Sequence, residues 1–139
     1  MSVVHTAVTT EPLSVTDHEA AVAHPAAGAV VSFAGVVRDH DGGRGVIRLE
    51  YEAHPSAEAV LAEVAQEIAK DPAVVALAVS HRIGDLRVGD VALAAAVATA
   101  HRAEAFALCA RLVDEVKARL PVWKHQFFTD GTDEWVNSP

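Results

Sequence analysis

The sequence predicts an α+β fold, a mixed or antiparallel sheet with about three helices, built as one domain over residues 1–139. Three observations lead there. Two long segments carry apolar residues at the three-and-four spacing of a helix, and a third, shorter one is bracketed by a cap and a proline. About six further segments show the β-branched runs or the strict alternation of strands. Several of those strands follow one another across short turns, which breaks the strand–helix–strand alternation of a doubly wound sheet.

Taken in order, Val3 to Val8 reads as a short strand, and Thr16-Asp17 caps a helix that Pro25 stops after about His24. Gly28 to Arg38 is β-branched and nearly uncharged, the pattern of a strand buried on both faces. Asp39 to Gly45 is a turn-rich loop. Beyond it Ile47, Leu49 and Tyr51 alternate with Arg48, Glu50 and Glu52, so this half-buried strand is expected to form a hairpin with the preceding one. His54-Pro55 opens a helix to about Lys70, with Val60, Leu61, Val64, Ala65 and Ile68 on one stripe and Asp71-Pro72 as its stop. Val74 to His81 and Val91 to Ala100 are strands separated by turns at Gly84-Asp85 and Gly89-Asp90. The second carries five alanines on one face, which predicts a helix lying close against it. A helix over about Ala103 to Leu120 follows, with Phe106, Cys109, Val113, Val116 and Leu120 on one side. Pro121 ends it, and Val122 to Thr129 is the last predicted strand.

Composition narrows the function. Hydrophobic residues make up 51% and charged residues 22%, enough to fill a core and too apolar for disorder. Eleven Lys and Arg against 19 Asp and Glu leave a net charge of −8, which argues against non-specific nucleic-acid or membrane-surface binding. No apolar run reaches a membrane span of about 18 residues. The first twelve residues lack a basic stretch before an apolar one, so no secretory signal is expected and the default address is the cytoplasm. Nucleotide-binding glycine patterns are absent. The eight histidines show no metal-binding spacing, and a lone cysteine makes no zinc site, so no metal is expected. Cys109, on an apolar helix stripe, reads as a buried thiol.

Five cationic or imidazole side chains remain of interest. His101-Arg102 sits where the alanine-rich strand turns into a helix, a position that offers free N–H groups, a positive dipole end and two cationic donors to a phosphate. The pair also reads as a surface arginine beside a capping histidine. Arg38 ends a strand before a glycine-rich loop, where ligand contacts gather, and where a chain also simply emerges into water. Lys117, in the last helical turn, suits the dipole as a solvated cation. Lys124 follows Trp123 in an aromatic strand, where partial desolvation would lower its pKa and make it usable as a base; a snorkelling lysine has the same pattern. Across the Pro121 corner the two lysines are placed to face one pocket.

The stretches FAGVVRDHDGGRGVIRLEYEAH (33–54), SHRIGDLRVGDVALAAAVATAHRAEAFALC (80–109), LVDEVKARLPVWKH (112–125) and DGTDEWV (130–136) together resemble the catalytic, large subunit of molybdopterin synthase, in the right order and over most of the chain. The resemblance implies a hammerhead-like α+β subunit that forms a homodimer, and a heterotetramer with a small ubiquitin-like sulfur carrier ending in Gly-Gly. The carrier's C-terminal thiocarboxylate would give sulfur to cyclic pyranopterin monophosphate, forming the dithiolene of molybdopterin, with no resident cofactor. It further implies that Lys117 and Lys124 are catalytic and that Arg38 lines the substrate pocket with them, as do Val36, Val37, His125 and Gln126, partly through backbone. His101 and Arg102 would reach that pocket from the neighbouring protomer. Ending in Asn137-Ser138-Pro139, the chain is expected to be the acceptor enzyme and not the carrier.

Three departures from the family pattern stand out. A basic residue and then Glu commonly follow the second lysine, where this chain has His125 and Gln126. The Tyr common after Tyr-Glu-Ala is His54, and an Arg often found beyond the terminal Trp-Val is missing. Loss of a carboxylate beside Lys124 is expected to lower that lysine's pKa. A non-catalytic dimer that holds a phosphorylated metabolite through Arg38 and His101-Arg102 is the alternative reading.

Overall fold

In the computed structural model, which describes residues 2–137, the strands divide between two sheets. The first holds β1 (Val3–Thr9), β5 (Val74–Arg82), β7 (Val91–Thr99) and β2 (Ala29–Val36), side by side in that order. β1 runs parallel to β5, and the other two pairings are antiparallel. The second sheet is centred on β4 (Arg44–Ala53), with β6 (Gly84–Arg87) on one side and β8 (Val122–Phe128) on the other. A two-residue β3 (His40–Asp41) folds back on the start of β4, and β9 (Asp133–Val136) borders β8. The helices are α1 (Val15–Ala21), α2 (Ala57–Ala69) and α3 (Arg102–Arg119), which makes the class α+β as the sequence predicts. None of them is long and apolar enough to cross a membrane.

The main core joins both sheets. Leu61, Val64 and Ile68 of α2 and Leu112 and Val116 of α3 meet Leu77 and Val79 of β5 and Leu49 and Tyr51 of β4. Cys109 lies in this cluster, and burial pushes its thiol pKa up. The other face of β5 and β7 is made of Ala76, Ala78, Ala96 and Ala98, covered by Val22 at the end of α1. Side chains this small let α1 approach closely, as the alanine face predicts. Its first turn is capped by the Ser14 hydroxyl, which accepts from the Asp17 amide at 3.1 Å. His18 ties the helix to the sheet, with Nδ1 2.6 Å from the Ser14 carbonyl and Nε2 2.7 Å from the Ser80 hydroxyl. Since a carbonyl only accepts, Nδ1 donates to it, and in the neutral ring Nε2 accepts a hydrogen bond from the serine O–H.

Four expectations need correcting. β2 is not buried on both faces: it is an edge strand whose residues alternate, leaving Val30 and Val36 exposed. The seven-residue α1 is too short to cover its outer face. β2 does not form a hairpin with β4 either, because the 39–45 segment carries the chain from one sheet to the other. Ile47 is 51% exposed and Val46 is buried in its place. A bulge between Val46 and Arg48 shifts the register and restores the inward face only from Leu49 onward. Finally, Gly84–Arg87 pairs with β4 as a strand, although the glycine-marked segment reads as a turn. Ser138 and Pro139, and with them the expectation about the chain end, lie outside the described residues.

Candidate active site

The exit of β2 is fastened before it reaches the site. The Val37 amide donates to the Asp90 carbonyl at 2.9 Å, and the Gly89 amide donates to the Val37 carbonyl at 2.9 Å. Gly89 takes φ +92°, a conformation a side chain would strain, so this turn holds the strand end tightly. Arg38 follows at the rim. β8 contributes Lys124 and Gln126, two residues apart and therefore on one face of the strand. Lys117 comes from the last turn of α3. Together with Tyr51 of β4 and His81 of β5, these segments wall a cavity of about 330 Å³. Of the residues singled out in the sequence, Val36, Val37, Arg38, Lys117, Lys124 and Gln126 line it. The two lysines do face one pocket.

His125 is a correction. Strand alternation turns its ring to the opposite face of β8, where it stacks on Trp135 at 4.2 Å, packs against Phe127 and sits 2.5 Å from the Asp133 carboxylate. Its side chain takes no part in the cavity wall. His101 and Arg102 lie elsewhere in the chain, exposed at the start of α3 in a second hollow with Gly28 and Ala29. His101 occupies the helix N-cap without a side-chain cap bond. Since Ala29 begins β2 and Val36 ends it, the strand separates the two hollows by seven steps of about 3.3 Å, roughly 23 Å.

The cavity is cationic at its mouth. Burial lowers the pKa of the Lys124 ammonium, and the neighbouring charges of Lys117 and Arg38 push in the same direction. Asp41 opposes them. Its carboxylate accepts from the Gln126 amide at 2.8 Å and pairs with Arg38 at 3.5 Å. The Gln126 bond, with help from the charges of Lys124 and Arg38, holds the Asp41 pKa below the ordinary carboxylate value. A carboxylate therefore does stand near Lys124, although residue 126 is an amide: β3 supplies it from the other side. Among the described residues, no cluster of three or more His, Cys, Asp or Glu is arranged to hold a metal.

Sequence reasoning missed Asp41, His81 and Tyr51 as parts of this site. Asp41 was hidden in a loop whose two-residue strand leaves no periodic signal. His81 and Tyr51 stand in strands whose apolar pattern marks them as core, and both are indeed buried. The one available signal was a histidine at the end of the otherwise apolar and small run Val74–Ser80.

Comparison with known proteins identifies the family. Residues 8–119 match the family described as MoaE protein. The molybdopterin synthase catalytic subunit of Nostoc sp. is 39% identical, over 94% of this chain and 81% of its own length. Catalytic subunit 1 of Mycobacterium tuberculosis is also 39% identical, over 93% of this chain and 88% of its own. The crystal structure of molybdopterin synthase from Staphylococcus aureus superposes with a TM-score of 0.85 at 33% identity, covering 93% of this chain and 94% of that one. The same fold, at 18% identity and a TM-score of 0.71, occurs in a Helicobacter pylori complex of subunits 1 and 2 of molybdopterin-converting factor. The chain belongs to the MoaE family of molybdopterin synthase catalytic subunits, sulfur-transferring enzymes of molybdenum cofactor biosynthesis.

Proposed function

We propose that this protein moves sulfur from the C-terminal thiocarboxylate of a small Gly-Gly-tailed carrier subunit onto cyclic pyranopterin monophosphate, and that the cavity between Arg38, Lys117 and Lys124 is where it happens. The observation that carries this reading is the convergence of those three cations on one cavity from three separate segments, the exit of β2, the last turn of α3 and β8. The substrate is a phosphate ester and the sulfur donor is an anion, so both reactants suit a cationic pocket. Lys117 and Lys124 are the catalytic pair. Lys117, at the mouth, stabilises the thiocarboxylate anion. Once that sulfur has bonded to the pterin side chain, Lys117 stabilises the oxyanion formed as water adds to the resulting thioester and the C–S bond breaks, which leaves a carboxylate on the carrier and the sulfur on the pterin. Lys124 has a lowered pKa, so it gives up a proton more readily than an ordinary lysine and serves proton transfer and substrate contact. Val36 and Val37 offer backbone groups at the end of β2, and Gln126 steadies Asp41. The reaction needs no resident cofactor, and its compartment is the cytoplasm.

His101 and Arg102 act in trans in this reading. About 23 Å of strand separates them from the cavity of their own chain. β2 is an edge strand, paired among the described residues with β7 alone, and beside it Val30, Val36 and Phe106 of α3 are exposed. An edge with free N–H and C=O groups and apolar neighbours suits pairing with a second copy. A two-fold axis across antiparallel β2 strands would set the Ala29 end of one against the Val36 end of the other. That arrangement carries the partner's hollow, with its His-Arg pair, toward the Arg38 rim, and a homodimer with two carriers gives the heterotetramer.

The test is reconstitution. Purified protein, a thiocarboxylated Gly-Gly carrier and cyclic pyranopterin monophosphate are expected to yield the dithiolene product. Tight binding of the pterin phosphate with no turnover, with a carrier proven competent elsewhere, would instead support a module that only binds a phosphorylated metabolite.

A further inference from the structure

His81 is a buried ionisable side chain of the cavity that the mechanism above leaves unused. It is 1% exposed, near the end of β5, yet it belongs to the cavity wall. Its Nδ1 lies 2.7 Å from the Arg82 carbonyl. A carbonyl can only accept, so Nδ1 carries the proton and Nε2 presents a lone pair. The edge of the Tyr51 ring, 4.8 Å away centroid to centroid and nearly perpendicular, fixes the imidazole plane. Among the described residues Nε2 has no hydrogen-bond partner. It is also not sealed off: among the described residues, Arg82 Nε is the one side-chain nitrogen or oxygen both fully enclosed and unpartnered. The space left open to Nε2 is the cavity.

A locked acceptor of this kind complements what surrounds it. Arg38, Lys117 and Lys124 present donors and positive charge, which recognise the anionic part of a ligand and nothing else about it. A neutral imidazole nitrogen deeper in the wall recognises a donor. We propose that His81 Nε2 is a substrate-contacting residue that accepts a hydrogen bond from an N–H or O–H of the heterocycle whose phosphate the cationic rim holds. This rests on the functional reading above and adds a specificity determinant to it. Burial keeps the ring in the accepting form, since its pKa is lowered to about 4 by desolvation, with the Lys117 charge acting the same way.

Two substitutions separate recognition from packing. In His81→Asn the shorter amide keeps a donor toward the Arg82 carbonyl and removes the Nε2 acceptor. In His81→Gln the amide oxygen can reach the position of Nε2. Calorimetric titration of the full chain with two probes, cyclic pyranopterin monophosphate and inorganic phosphate, reads the difference. The expected result is about tenfold weaker binding of the pterin phosphate by His81→Asn, unchanged phosphate binding, and recovery of most of the loss in His81→Gln. Wild-type affinity for both probes in His81→Asn would overturn the proposal. So would equal losses for both probes in both variants, which would mark His81 as a packing residue. Phosphate binding by the wild type without pterin phosphate binding would refute the functional reading itself, and this inference with it, without reference to either variant.

Discussion

Acid should unfold this protein earlier than its carboxylates alone require, and His81 is the reason. Its imidazole is buried against Tyr51, and desolvation holds its pKa at about 4 in the folded state against an ordinary 6.5. The neutral form is thus the one the fold accepts. Stability is complete above the unfolded-state value and falls as pH drops from about 6.5 toward 4, where the unfolded chain binds a proton that the folded chain refuses. At about 1.4 kcal/mol per pH unit the loss is capped near 3.4 kcal/mol, and about 2 kcal/mol of it is gone by pH 5. Asp41, Glu67 and Asp130 have lowered pKa values and add their own losses at lower pH. Comparing variants removes their contribution. Urea unfolding of wild type and His81→Asn at about pH 8 and about pH 5 should show the wild type losing about 2 kcal/mol more than the variant over that interval. Equal losses in the two proteins would refute the argument, because the imidazole would then titrate alike in both states.

Three further outcomes follow from the geometry. If His101 and Arg102 serve the partner's cavity, Lys117→Ala and Arg102→Ala are each inactive alone, but mixed subunits recover about one quarter of wild-type activity, since half the dimers carry one intact site; no recovery after verified subunit exchange would place both residues in one chain's site. Leu112→Ala removes a fully buried side chain from the α3 face of the core and should cost about 2–5 kcal/mol in urea unfolding, with a cost under 1 kcal/mol contradicting its place there. Gly28→Ala would set a Cβ 2.6 Å from the Ala100 carbonyl oxygen, a backbone atom that cannot swing aside like a side chain, and should cost about 1–3 kcal/mol while displacing the His101 hollow. A stability equal to wild type would show that the two segments separate freely.

The parts of the fold that were legible in the sequence are those whose burial is periodic. The stripe of Leu61, Val64 and Ile68, and the alanine face of β7 with its close helix, follow directly from spacing and side-chain size. What escaped is set by contacts distant in sequence. Nothing local to Gly28–Arg38 says that it forms a sheet edge, because an exposed valine face and a buried one are spelled alike. Nothing local to Ile47 announces the bulge that turns it outward, which depends on how β8 registers against β4. At the site, Lys117 and Lys124 were legible through the proline corner that brings helix and strand together. His125 failed because a residue adjacent to a pocket residue in a strand points to the other face. Asp41 was invisible because its relation to Lys124 joins two strands of the second sheet that lie far apart in sequence, and passes through Gln126.

Formation of the dithiolene by wild type, Lys117→Ala and Lys124→Ala, each supplied with thiocarboxylated carrier and cyclic pyranopterin monophosphate, tests the central claim most directly. The account predicts product from wild type, none detectable from Lys117→Ala, and a fall of about 10²-fold or more in Lys124→Ala, with all three proteins equally folded. Product at wild-type rate from folded Lys117→Ala would contradict it, because sulfur would then be leaving the carrier without the cation placed at the mouth of the cavity.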